Sequence, residues 1–173
     1  LSEGVIAGSS DVIEIAPCQK GESALHGNVL NVFLAPKAVI DLDKLRRNVY
    51  ASSSCGLCGK ASIESVHVHF PPLVKREPFV DAEKLLQLPA MLRVRQETFE
   101  KTGGLHAAGL FDFNGRLLTL REDVGRHNAV DKVLGRSMLD GNLPLEDSVM
   151  MVSGRASFEI LQKALAGRVP VVC

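Results

Sequence analysis

The chain has 173 residues, 46% hydrophobic and 23% charged, a composition that supports one ordinary core-bearing domain with at most a small extra lobe. Its 20 Lys and Arg balance 20 Asp and Glu to a formal net charge of zero, which argues against a broad basic field for nucleic acid or an acidic membrane. Trp is absent and aromatics are 5%, so no aromatic platform for single strands is expected, and no apolar run has the length of a membrane span.

Both ends read as cut. Leu1-Ser2-Glu3-Gly4-Val5-Ile6 lacks an initiator Met and looks like the middle of a segment. Val169-Pro170-Val171-Val172-Cys173 looks like a strand that stops before its loop. The expectation is one domain over residues 1–173, lacking N- and C-terminal parts. Residues 1–75 form a β-rich portion, and residues 76–173 an α/β portion.

In chain order, Val29 to Leu34 is apolar-rich and partly alternating, which predicts a strand. Asp41 to Arg47 predicts a short helix, with Asp41 as cap and Leu42 and Leu45 on one face. Ala51 to Gly59 holds three serines, two glycines and two cysteines with no apolar period, and reads as a loop. Ser62 to Phe70 predicts a short strand ended by Pro71-Pro72. Asp81 to Leu88 predicts a capped helix, and Pro89 the first turn of a second helix reaching about Lys101. Gly103-Gly104 breaks the chain. Asn114-Gly115 between two apolar runs predicts a β-hairpin with a type I′ turn.

Gly125 to Leu139 predicts a helix with Val130, Val133, Leu134 and Met138 on its buried face. Asp147 to Val152 predicts a buried strand. A helix from about Arg155 to Ala166 follows, with Phe158, Leu161 and Leu165 as its stripe, and Val169 to Cys173 closes as a strand. Alternation of strand and helix predicts an α/β layered fold with a mixed or parallel sheet.

The cysteines are Cys18, Cys55, Cys58 and Cys173. No basic start, apolar run and cleavage site opens the chain, so the reducing cytoplasm is the expected compartment. A close Cys pair there is more often catalytic or metal-binding than a structural staple. Cys55-Gly56-Leu57-Cys58 sits in the mobile-looking loop, where a thiolate could act as nucleophile and its neighbour could resolve or share a persulfide. Zinc is a second reading, since His67 and His69 could complete a Cys2His2 set, although that spacing is not the common one. Redox exchange or a structural loop is a third.

His106, after Thr102-Gly103-Gly104-Leu105, reads either as a pocket residue or as a core histidine bonded to backbone. A nucleobase deaminase would carry His-x-Glu and a later Pro-Cys-x-x-Cys. Here Ala108 holds the Glu position and no Cys pair follows, so deamination is not expected. Two helix starts suit an anion: Arg126-His127-Asn128, and Ser153-Gly154-Arg155. Asp123 or Asn128 could read a base or ribose. The plainer reading makes Ser153 and Asp123 helix caps and pairs the arginines with Glu122, Asp131 or Glu159.

Taken together, Ser53-Ser54-Cys55-Gly56-Leu57-Cys58-Gly59-Lys60, Thr102-Gly103-Gly104-Leu105-His106-Ala107-Ala108, Glu122-Asp123-Val124-Gly125-Arg126-His127-Asn128-Ala129-Val130-Asp131-Lys132 and Ser153-Gly154-Arg155-Ala156-Ser157-Phe158-Glu159 resemble the FdhD/NarQ family, as does Ser2 to Ile6. The resemblance spans nearly the whole chain in family order. It implies a cytidine-deaminase-like layered fold, with a mixed central sheet flanked by helices, and no deaminase activity.

It also implies a sulfurtransferase. Sulfur would pass as a persulfide from a cysteine desulfurase to the molybdenum or tungsten bis-pyranopterin guanine dinucleotide cofactor of formate dehydrogenase. That cofactor would be a bound substrate, with no tightly held metal of the protein's own. Cys55 would carry the persulfide and Cys58 would assist. His106, Arg126, His127, Asn128, Ser153 and Arg155 would line the cofactor pocket, and the protein would form a homodimer. The alternative is a non-catalytic, guanine-nucleotide-binding chaperone for molybdoenzyme maturation.

Overall fold

A computed structural model describes residues 1–2, 5–19, 21, 27–38, 40, 73 and 80–173. The expected helix at Asp41 to Arg47, the Cys55–Cys58 loop and the expected strand at Ser62 to Phe70 lie outside the described residues. The chain divides into two compact units, one reaching Arg46 and the other running from Arg47 to Cys173.

In the first unit, a single 3-10 turn at Ser9–Asp11 leads into β1, Val12–Pro17, which pairs antiparallel with β2, Leu30–Leu34. The β2 strand is the one expected from Val29 to Leu34. Its partner went unpredicted, because Val12-Ile13-Glu14-Ile15 alternates only in part and the ladder is bulged between Val12 and Glu14. Asp11 steadies the entry by accepting from the Ala7 N–H at 2.7 Å.

The second unit begins with α1, Ala82–Val94, and α2, Glu97–Thr102. Asp81 caps α1 as expected, its Oδ1 accepting from the Glu83 N–H at 3.0 Å. Pro89 does not start a new helix but lies inside α1. A proline there forfeits one backbone hydrogen bond, yet Leu88 and Leu92 on either side of it are both fully buried. Packing of that face onto the sheet outweighs the local penalty. The break falls instead at Arg95-Gln96. Gly103, with φ 66°, ends α2 in the left-handed conformation, where glycine carries no Cβ penalty.

Strands β3, His106–Asp112, and β4, Leu117–Asp123, form the expected hairpin. Its turn is not type I′. Gly115 has φ 84° while Asn114 does not enter the positive-φ region, and the Gly115 N–H bonds the Asp112 carbonyl at 2.9 Å. This is a type I turn followed by a left-handed glycine. Asp112 selects it: its Oδ1 accepts from the N–H groups of both Asn114 and Arg116 at 2.9 Å.

Next come α3, Arg126–Leu139, β5, Ser148–Val152, α4, Phe158–Ala166, and β6, Val171–Val172. The sheet order is β4-β3-β5-β6. The β3 strand is antiparallel to both neighbours, and β5 is parallel to β6, so the sheet is mixed, as expected. Alternate residues of β3 serve two cores. Ala108 and Leu110 join Val130, Val133 and Leu134 of α3 and Ile160 and Ala164 of α4. Ala107 and Phe111 join Leu88 and Leu92 of α1. Helices therefore cover both faces of the sheet, and the expected α3 stripe of Val130, Val133, Leu134 and Met138 is buried throughout.

The α4 helix departs from expectation in start and face. It begins at Phe158 rather than Arg155, and Ile160, Lys163 and Ala164 are buried while Phe158 and Leu161 remain exposed. This end of α4 lies close to α3: a Cβ added at Gly167 would come 2.5 Å from Leu134 Cδ2. Lys163 buries its stem and sends Nζ to both carboxylate oxygens of Asp131 at 2.8 Å, as long cationic side chains do.

Candidate functional site

The second unit places an open groove of about 450 Å³ where α1, α2, the start of β3 and the end of β5 converge, lined by Arg93, Gln96, Phe99, Gly104, His106 and Ser153 among others. Ser153 is stitched to β3 twice. Its hydroxyl accepts from the Ala107 N–H at 2.8 Å, and its own N–H bonds the Ala107 carbonyl at 2.9 Å. It is therefore a strand-end clamp, not the cap of α4. Next to it, a Cβ on Gly154 would stand 3.1 Å from Arg126 Cδ and 3.4 Å from His106 Nδ1. Glycine lets this backbone lie directly on both side chains. His106, Arg126 and Ser153, far apart in sequence, thus meet at one end of the sheet. That end includes the carboxyl end of β5, beside its parallel partner β6, a usual place for ligands in α/β sheets.

The other expected residues are committed differently. His127 Nε2 lies 3.0 Å from Ser157 Oγ and 3.5 Å from Glu159 Oε2. Desolvation holds its pKa below the ordinary value of 6.5, assisted by Arg126 and Lys163 and opposed by Glu159. The Ser157 hydroxyl is drawn to His127, and Ser157 makes no side-chain cap for α4. Asn128 donates its amide to Asp123 Oδ1 at 3.0 Å, and the Gly125 N–H donates to the same oxygen at 2.9 Å. Lys132 Nζ bonds Asp123 Oδ2 at 2.6 Å. That hydrogen bond, followed by the one from Gly125, draws Asp123 down to about 2. Asp123 and Asn128 hold the entry of α3 together, but Asp123 is not its cap as the plainer reading had it: the N-cap is Gly125, with no side-chain cap bond. Arg155 is exposed, with no side-chain partner among the described residues.

Sequence reasoning passed over Arg93, Gln96 and Phe99. The Arg93 guanidinium lies 4.5 Å from the centroid of the Phe99 ring, and its Nη2 bonds Glu100 at 2.8 Å. Glu122 of β4 fixes this wall. Its Oε1 accepts from the Phe99 N–H at 2.8 Å and its Oε2 from the Thr98 N–H at 3.0 Å, so a sheet residue caps α2 from outside the helix. Desolvation pushes the Glu122 pKa up, but these bonds outweigh it and the net shift is downward from 4.5. A depressed carboxylate stabilises the fold fully above its unfolded value and loses that contribution as pH falls through the folded value. Glu122→Gln should therefore cost about 1 kcal/mol at neutral pH. The gap to the wild type should narrow steadily below the ordinary glutamate value. Urea unfolding at a series of pH values checks this; a gap constant down to acid pH would refute it.

Among the described residues no group of three or more His, Cys, Asp or Glu could hold a metal ion, and no helix is long and apolar enough to cross a membrane. Cys173 is a free thiol. Burial raises the pKa of Cys173.

A family model described as the FdhD/NarQ family matches residues 1–173. Proteins named "Sulfur carrier protein FdhD" are similar to the chain over 99% of its length, one from Streptomyces avermitilis at 46% identity and one from Streptomyces coelicolor at 48%. The chain spans 62% of the length of each of these curated relatives. Among solved structures, a protein from Desulfotalea psychrophila described as a candidate formate dehydrogenase accessory protein matches with a TM-score of 0.63 at 24% identity, over 99% of this chain and 58% of that one. That likeness shows the fold. The chain belongs to the FdhD/NarQ family.

Proposed function

We propose that this member of the FdhD/NarQ family is a persulfide-carrying sulfurtransferase for the bis-pyranopterin guanine dinucleotide cofactor of formate dehydrogenase. The observation that carries the reading is the Ser54-Cys55-Gly56-Leu57-Cys58-Gly59 motif in a chain so similar to proteins named as sulfur carriers. The Cys55 thiolate attacks the sulfane sulfur of a cysteine desulfurase persulfide. A Cys55 S–S bond forms and the desulfurase thiolate leaves. Attack by the Cys58 thiolate on Cys55 Sγ then releases the sulfur as hydrosulfide to the cofactor metal. The Cys55–Cys58 disulfide left behind returns to dithiol by exchange with an external thiol reductant.

His106 and Ser153 support the receiving end, because both line a groove with no carboxylate among its described lining residues, and Arg126 packs beside them against Gly154. In this reading His127 and Asn128 shape the pocket through their internal bonds, and Arg155 supplies an exposed cation for a phosphate. The sheet order β4-β3-β5-β6 with helices on both faces supports a cytidine-deaminase-like layering. Ala108 in place of a catalytic glutamate accords with a fold used for binding. The setting is the cytoplasm, and the working form a homodimer.

Incubation with a cysteine desulfurase and cysteine should add about 32 Da to the intact protein. Digestion without reductant should place that mass on the peptide holding Cys55 and Cys58. A gain mapped elsewhere, or none, overturns the proposal.

A further inference from the structure

The α1 helix is apolar on two sides. Leu88 and Leu92 face the sheet and are fully buried. On the opposite side Ala82, Leu86, Ala90 and Val94 follow at every fourth residue, a spacing that sets side chains in one row along a helix. All four are exposed. Leu86 at 80% and Val94 at 81% are the most exposed large hydrophobic side chains among the described residues. The outer face of a surface helix is ordinarily polar. One exposed apolar side chain needs no explanation, but two in a row with no polar residue between them mark an interaction surface.

The row itself states what fits it. Small and large side chains alternate along it. Turned end for end about its midpoint, the row meets its own copy with Leu86 opposite Ala90 and Val94 opposite Ala82, so each bulky side chain finds a small one. The same twofold sets Glu83 of each copy against Arg93 of the other. Both are exposed. Arg93 Nη2 already bonds Glu100 at 2.8 Å, and a guanidinium keeps further donors for a second carboxylate. Parallel pairing would stack Leu86 on Leu86 and bring like charges together. A patch that complements itself under a twofold is what an isologous dimer requires.

We propose that the outward row of α1 is an interface between two copies of this chain, packed antiparallel, with Leu86 of each copy against Ala90 of the other and Glu83 paired with Arg93 at both ends. The inference rests on the homodimer of the proposed function and gives that dimer its contact. A helix of 13 residues is about 20 Å long and offers less than the roughly 800 Å² per partner of a standard interface. The dimer should therefore form reversibly, with a dissociation constant of about 1–100 μM.

The test is sedimentation equilibrium of the whole chain from about 1 to 300 μM. Leu86→Lys keeps helix propensity and presses an ammonium onto an apolar contact beside Arg93, so dimerisation should weaken about tenfold or more. Glu83→Arg and Arg93→Glu should each weaken it about fivefold, since every pair occurs twice. The two reversals combined should restore wild-type association. Positions 83 and 93 are about 15 Å apart along one helix, so restoration cannot arise within a single chain.

Both results are required: weakening by Leu86→Lys and restoration by the double reversal. Failure of either overturns the inference. Should Leu86→Lys not fold, Val94→Lys takes its place under the same criterion. A dimer that none of these substitutions weakens removes this interface and leaves the homodimer standing on another face. A wild-type chain that stays monomeric throughout removes the interface and the homodimer together.

Discussion

Cys55→Ala is expected to reduce sulfur-dependent activation of formate dehydrogenase to the level seen with no carrier added, and to abolish the mass gain after desulfurase treatment. The argument is one of available thiolates. Sulfur transfer needs an ionised, reachable sulfur. Burial raises the Cys173 pKa, and its backbone is tied into the sheet through its N–H to the Met150 carbonyl at 2.9 Å. That thiol is a poor nucleophile and a poor traveller.

Cys58→Ala should behave differently if release proceeds by disulfide formation. Loading on Cys55 persists, so the mass gain remains, while delivery to the dehydrogenase falls. A Cys55→Ala protein that still activates the client would return the chain to the alternative of a non-catalytic cofactor-binding chaperone. Equal effects of the two substitutions on loading would show that both sulfurs are needed to accept, and would rule out the division of labour between them.

Where sequence and structure part company, the cause is tertiary. The α3 face was legible because Val130, Val133, Leu134 and Met138 repeat at helical spacing and nothing nearby competes. Pro89 misled because local chemistry favours a helix start there, while burial of Leu88 and Leu92 on one sheet face keeps a single helix running past it. The α4 stripe misled because Phe158, Leu161 and Leu165 also repeat at helical spacing. Close approach to α3 instead selects Ile160 and Ala164, and Lys163 closes that face with its ion pair to Asp131.

In the site, motif residues His106, Arg126 and Ser153 came together as a sequence reader would hope. Gln96 and Arg93 carry no motif, and only the break between α1 and α2 brings them to the groove. A glutamine at the junction of two helical patterns, seven residues before a Gly-Gly pair, was the one available hint, and it is weak. Glu122 opens one of the motifs, but nothing in the sequence points to its capping of α2.

Gly109→Ala should be among the most costly single-methyl changes in the protein, at about 1–3 kcal/mol. Gly109 lies mid-way along β3, on the face that carries Ala107 and Phe111. An added Cβ would stand 2.5 Å from Leu92 Cδ1, 3.1 Å from Phe111 Cε2 and 3.3 Å from Leu117 Cδ1. Three side chains from three elements close on it, so movement away from one presses on another. Leu92 is followed directly by Arg93, and Gln96 lies one turn further on. Displacing α1 from the sheet therefore shifts one wall of the groove while His106 and Ser153 stay with β3 and β5.

Gly109→Ala should lower the midpoint of urea unfolding. Leu92→Ala alone should cost about 2–5 kcal/mol through the cavity it leaves. In the double variant the new methyl occupies part of that cavity, so its cost should fall short of the sum by about 1 kcal/mol or more. Strict additivity would mean that the strand, not Leu92, yields to the methyl. The seating of α1 on Gly109 would then not be what holds the groove wall in place.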